Sequence, residues 1–305
     1  MDIPLTDHEI PEEVTGFLEN ARGRVRIMVV GRPDTGKSTL AFFLASWFRD
    51  RGRTCAVVDC DVGQADIGPP GFISYGLIGE NDLRFPCPRA GSYLVGDVSP
   101  YGRGDAKILA MVTGVSLCVA SAEAEGAQVV VIDTTGLALF PEGIRLKCAK
   151  ADAVRPDIVI MLMPADSDHH SAEESLRGLL EAQGHRVLKV PAGAAVRKRS
   201  PEERRENRVR QWNRYLEISA LHRLDPAAVR VLRWWADAPA VQTVGHGTVV
   251  AVPDPCRRGL HVPGIWVSDE KGPGILADWP PEHEVDTVWV TSYQTLVSRG
   301  RVMSG

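Results

Sequence analysis

The chain has 305 residues, enough for one large domain or two smaller ones around a buried core. A net charge of −4 excludes a protein that coats nucleic acid through bulk positive charge, while a local basic patch stays compatible with it. Six cysteines at 55, 60, 87, 118, 148 and 256 form no C-x-x-C pair and have no histidine cluster nearby. That spacing argues against a zinc site or a disulfide framework, so they read as reduced, mostly buried small hydrophobes.

Residues 1–14, MDIPLTDHEIPEEV, are acidic where a secretory signal would be basic and then apolar. No uninterrupted apolar run approaches the roughly 18 residues that span a bilayer. The expectation is a soluble, cytoplasmic protein with no membrane partner. Arginine outnumbers lysine 28 to 7, a bias that over a whole chain reflects genome composition more than phosphate recognition.

After a segment over 1–24, apolar RVRIMVV runs into Gly31 as a buried strand would, and Leu40 onward reads as a helix. Between them lies Gly31-x-x-x-x-Gly36-Lys37-Ser38, the phosphate-binding pattern in its strand–loop–helix setting. Backbone N–H groups of Asp34, Thr35 and Gly36 would wrap phosphate oxygens at the positive end of the helix. Lys37 would reach the β- and γ-phosphates, the Ser38 hydroxyl would ligate Mg²⁺, and Thr39 would lie beside the α-phosphate.

Strand-like TCAVVD leads into CDVGQADIGPPG, a loop stiffened by Gly63, Gly68, Pro69, Pro70 and Gly71. Asp59 and Asp61 stand two apart at this strand's end, so both carboxylates would point to one face. LVGDVSPYGRGDAK places Ser99 after another apolar run, where it could meet metal or substrate. AQVVVIDTTG closes on Asp133 in a Walker B arrangement and precedes helical GIRLKCAKADAV. PDIVIML, SAEESLRGLLEAQG and RVLKVP continue the alternation, and a charged helix follows at about 201–221.

Alternation of nearly continuous apolar strands with helices predicts an α/β P-loop NTPase, a mainly parallel sheet flanked by helices over 25–222. Its polar motifs fall at the strands' C-terminal ends, where ligands collect in such sheets. From about 225, Gly, Pro and Trp become frequent, and runs such as GTVVAV and DTVWVTS predict a small β-rich domain over 223–305. Between Arg197 and Arg210 the chain holds seven basic and three acidic residues, a local net of +4. Mixed charge of this kind suits a solvated helix face. Placed after the last parallel strand, it also suits an arginine lid at about 196–215 that neutralises a transferring phosphoryl group.

This order of motifs resembles the polynucleotide 5′-hydroxyl kinases that include the RNA-kinase subunit of the mRNA 3′-end cleavage factor and the kinase of pre-ribosomal RNA processing. The resemblance rests on GRPDTGKST, DCDVGQADIGPPG, VGDVSP, VIDTTG and VRKRSPEERRENRVRQWNRYL, together about residues 26–216. It implies that Gly31, Asp34, Thr35, Gly36, Lys37, Ser38 and Thr39 bind ATP, or another NTP, with Mg²⁺. Asp61 is then the carboxylate near the attacking 5′-hydroxyl, as base or metal partner, with Ser38 and Asp133 toward the metal. Gln64 would help arrange the same pocket, and Arg199 and Arg204 match the lid arginines.

Two departures stand out. Members of the cleavage-factor branch carry a base-clasping Trp directly after the glycine matching Gly136, and here that position is Leu137. About 25 residues precede the first strand where the eukaryotic members carry a β-domain, so their protein-partner roles do not carry over. The expected activity is transfer of a γ-phosphate to RNA or DNA 5′-hydroxyl ends by a compact, prokaryotic-type kinase. The competing readings are a small-molecule kinase and a non-catalytic ATP-binding assembly factor. The sequence leaves open which of Asp59, Asp61 and Asp133 is base and which is metal partner.

Overall fold

The computed structural model describes residues 11–78, 89–99, 106–136, 141–163, 171–192, 199–234, 243–280, 283–298 and 300–303. Leu137 and residues 193–198 of the lid stretch lie outside them. The chain divides into two compact units that do not follow one boundary along the sequence. The first comprises 1–61, 75–90 and 119–199; the second comprises 62–74, 91–118 and 200–305. The change of texture near 222 therefore falls inside the second unit, which also includes the preceding helix.

The first unit is built on parallel strands β1 (Val25–Val30), β2 (Cys55–Asp59), β5 (Val129–Asp133), β6 (Ile158–Met163) and β7 (Val187–Pro191) in the order β7-β6-β1-β5-β2. Every residue of β2 and β5 is buried, which is why these strands read as continuous apolar runs rather than alternating ones. Helix α1 (Glu12–Asn20) buries Val14 and Leu18. α2 (Lys37–Arg49), α4 (Pro141–Val154) and α5 (Ser171–Ala182) complete this unit. β1 lies between β5 and β6, so the loop leaving it emerges at the middle of the sheet.

The second unit is mostly antiparallel. β4 (Gly91–Leu94), β11 (His261–Asp269), β10 (Thr248–Pro253), β13 (Thr287–Gln294) and β9 (Arg230–Arg233) follow one another, β13 and β9 being parallel. β12 (Gly272–Ala277) pairs with β11, and β8 (Ala220–Arg223) pairs with β12. Helix α6 (Pro201–Leu216) sets Trp212, Tyr215 and Leu216 into a core with Phe72, Leu94, Val249, Ala251 and Ile265. Trp212 is 0% exposed, so its ring is core and cannot serve as a stacking platform for a base. Asn213 on the same helix fixes the last strand pair, β14 (Leu296–Ser298) and β15 (Arg301–Met303), by bonds of 2.9 and 2.7 Å to the Val302 backbone.

One helix departs from the sequence expectation. By length and composition α3 (Ala106–Ala124) is apolar enough to cross a membrane, with a mean hydropathy of 1.5 over Lys107–Ala124. Thr113, Gly114, Ser116 and Ser121 interrupt the run and hide it from a search for unbroken apolar stretches. Met111, Val115, Cys118 and Ala122 are each 0% exposed, one face at helical spacing, as in a core helix. The charges near its ends are ion-paired, Lys107 with Asp97 and Glu123 with Arg26.

β4 and β11 meet at His261, whose Nδ1 accepts the Leu94 N–H at 3.2 Å. Burial lowers its imidazole to about 4. An unfolded chain takes up this proton below about pH 6.5, the folded chain only below about 4, so the stability tied to neutral His261 is intact above that window and lost as pH falls through it. The expected slope is about 1.4 kcal/mol per pH unit. His261→Gln keeps an acceptor without titrating, so urea titrations between pH 4 and 6.5 should give a flatter dependence. An unchanged slope would contradict the buried neutral imidazole.

Candidate active site

In the first unit, the loop after β1 turns through two left-handed residues, Asp34 at φ 52° and Gly36 at φ 88°. Successive turns of this kind point backbone N–H groups into one concavity, which suits an anion. A Cβ on Gly31 would come within 2.9 Å of the Thr35 hydroxyl and 3.1 Å of Leu162, so the loop's first glycine is needed for close packing. Thr35 Oγ1 and Lys37 Nζ both donate to the Arg32 carbonyl, at 2.9 and 2.6 Å. The ammonium is thus folded back over its own loop, and Lys37 is 7% exposed.

Ser38, in the first turn of α2, donates from Oγ to Asp133 Oδ2 at 2.5 Å. A hydroxyl and a carboxylate so placed form a hard-oxygen pair suited to Mg²⁺. Asp59 and Asp133 are register partners on adjacent strands, each 3% exposed. Asp59 Oδ1 accepts the Asp61 N–H at 2.9 Å and so shapes the strand end. Asp61 itself is half-buried, and of the three carboxylates it is the one presented toward solvent. At the far end of this unit the Arg199 N–H approaches Asp34 Oδ2 at 3.4 Å, bringing the base of the lid stretch to the phosphate loop.

The remaining candidates lie in the second unit. Gly71 N–H closes the stiff loop onto Val62 O at 2.9 Å, with Gly71 at φ 93°. Within that loop Gln64 donates to the Arg204 carbonyl at 3.1 Å and accepts from Asn207 at 3.4 Å, so Gln64 and α6 are fastened together. Ser200 caps α6 through a reciprocal pair with Glu203, at 3.2 and 2.7 Å, with Pro201 in the first turn. Ser99 donates its N–H to Asp97 Oδ1 at 3.0 Å. Its placement is that of a turn residue beside the Asp97–Lys107 ion pair.

Three features of this site were not legible as functional in the sequence. Arg32, inside the phosphate loop, is paired with Glu173 of α5, which is 1% exposed. Lys147 and Lys150 of α4 are each 1% exposed. Lys147 Nζ donates to Thr134 Oγ1 at 3.0 Å and to the Thr135 carbonyl at 2.6 Å, while Thr134 donates to Val29 O at 2.8 Å. Burial, then Lys37 and Lys150, push Lys147 well below the usual lysine range, against the pull of Asp133 and Asp61. Gly136, ending the same turn, rests on the loop: a Cβ there would lie 2.6 Å from the Pro33 backbone.

Residues 31–217 match the family described as mRNA cleavage and polyadenylation factor CLP1 P-loop. The chain belongs to this CLP1 P-loop family. It is 31% identical over 222 residues to a polyribonucleotide 5′-hydroxyl-kinase of Pyrococcus horikoshii, a match covering 70% of this chain and 56% of that protein. To the protein of the same description from Thermococcus kodakarensis it is 34% identical over 228 residues, covering 73% and 61%. The chain thus spans little more than half the length of these relatives. Clp1p in the Clp1p–Pcf11p complex superposes with a TM-score of 0.72 at 13% identity, over 92% of this chain and 77% of that one. This likeness confirms the P-loop fold with its C-terminal strands. The CLP1 P-loop assignment implies nucleotide binding by this fold.

Proposed function

We propose that this chain is a polynucleotide 5′-hydroxyl kinase acting on RNA ends, moving the γ-phosphoryl group of ATP or another NTP onto the terminal hydroxyl. The observation that carries this reading is the grouping, in one compact unit, of the phosphate loop, the Ser38–Asp133 pair and the outward-facing Asp61. The descriptions of the relatives supply the substrate class. When bound, ATP·Mg²⁺ supplies the phosphoryl group and a divalent charge, with Ser38 and Asp133 as the residues that would hold the metal. Lys37 neutralises charge on the β- and γ-phosphates. Asp61 orients the 5′-hydroxyl and accepts its proton. Arg199 and Arg204 counter the charge that spreads over the transferring group. Gln64, bonded to α6, positions the segment that bears Arg204.

The test is incubation of pure protein with γ-labelled ATP, Mg²⁺ and short 5′-hydroxyl RNA and DNA oligonucleotides, with nucleosides alongside. Labelled oligonucleotides are expected. Label on nucleosides alone would indicate a small-molecule kinase, and no label would indicate an assembly factor that binds ATP without transfer.

For the lid, Arg199→Ala is expected to lower kcat by at least about 10²-fold with ATP affinity little changed, because arginines in this role contribute about 10³–10⁵-fold and neighbours replace part of that. Arg199→Lys should rescue poorly, since an ammonium lacks the planar fork that grips two phosphate oxygens. Near wild-type turnover in the Arg199→Ala, Arg204→Ala double variant would return this stretch to an ordinary surface helix, where exposed charges matter by about 0–1 kcal/mol.

A further inference from the structure

The side chain of Arg32 ties the phosphate loop to α5. Its guanidinium grips Glu173, in the first turn of that helix, along one edge: Nε donates to Oε1, and Nη2 donates to Oε2 at 2.9 Å. The Glu173 side chain is 1% exposed, that of Arg32 22%. Two parallel bonds of this kind fix direction as well as distance.

The backbone of Arg32 is equally engaged, since its carbonyl receives Thr35 Oγ1 at 2.9 Å and Lys37 Nζ at 2.6 Å. Gly31, just before it, packs on Leu162 of β6, the strand that precedes α5 in the chain. On the side of β5 the loop is braced through Ser38 with Asp133 and through Pro33 with Gly136. On the side of β6 the braces are Gly31 and the Arg32–Glu173 fork. A buried ion pair adds little net stability over apolar side chains of the same volume, so what the fork supplies is a fixed position.

We propose that Glu173 is a positioning residue for nucleotide binding and phosphoryl transfer: through the Arg32 fork it holds the loop backbone at residue 32, against which Thr35 and Lys37 are set. It acts through Arg32 and touches no substrate. The inference rests on the reading of this loop as a nucleotide site. A carboxylate that acted only by its charge would behave in the opposite way, because a negative charge beside an anion site repels the anion.

Glu173→Asp keeps the charge and withdraws the carboxylate by one carbon. Misplacement on that scale impairs binding and rate together. Affinity for a fluorescent ATP analogue in Mg²⁺ is therefore expected to fall at least about fivefold, and kcat toward 5′-hydroxyl RNA at least about tenfold, with the RNA KM unchanged. Glu173→Gln should weaken the nucleotide as well, where a purely electrostatic role predicts tighter binding. Each single variant leaves the buried pair incomplete and should melt lower. The Arg32→Met, Glu173→Leu double variant removes one charge of each sign and should recover melting temperature without recovering affinity. It also serves as the folded variant if the single ones do not fold. Wild-type affinity in Glu173→Asp, tighter binding in Glu173→Gln, or affinity that returns with melting temperature in the double variant overturns the proposal. The transfer arm rests on the kinase reading, and a wild-type protein that binds the analogue but labels nothing refutes that reading alone, because the binding comparison still decides the role of Glu173.

Discussion

Lys37→Ala is expected to abolish phosphoryl transfer, by about 10³-fold or more, while leaving the melting temperature close to wild type. Lys37 Nζ donates to the Arg32 carbonyl at 2.6 Å, and Thr35 donates to the same carbonyl. Alanine therefore leaves that acceptor served and the helix start undisturbed, and what disappears is the positive charge. Steady-state rates with labelled ATP, alongside thermal melts, separate the two effects. Full turnover in this variant would remove the loop from the chemistry.

Asp61→Asn preserves size and abolishes charge and basicity, so kcat should fall about 10²–10⁴-fold, the usual contribution of a general base, with nucleotide affinity changed much less. The choice of Asp61 over its neighbours rests on exposure and bonding. Asp59 and Asp133 are each 3% exposed, Asp59 accepts the Asp61 backbone and Asp133 accepts Ser38 Oγ. A loss that high Mg²⁺ reverses would make Asp61 a metal ligand instead.

The parts of the site that were legible in the sequence are those whose geometry is local. A strand, a loop of fixed spacing and a helix start occupy consecutive residues, so Gly31 through Thr39 announce themselves. Asp133 is equally plain because it closes the apolar run VVVID of β5. Arg32 and Glu173 are separated by 141 positions, and no short-range pattern links them. Lys147 and Lys150 are hidden for another reason. Charged residues on a helix normally mark its solvent face, whereas here they share a buried stripe with Gly143 and Val154. The division into units was similarly opaque, since 62–74 and 91–118 join the second by packing between distant segments. The capping box of α6 is legible in the letters S-P-E-E, Ser200 to Glu203.

The packing of Gly136 on Pro33 bears on how this sequence can vary. Its neighbour there is backbone, so no rotamer adjustment and no smaller partner side chain can make room for a Cβ. The turn after β5 and the phosphate loop are thereby locked together, and any side chain at 136 must drive one of them away from the other.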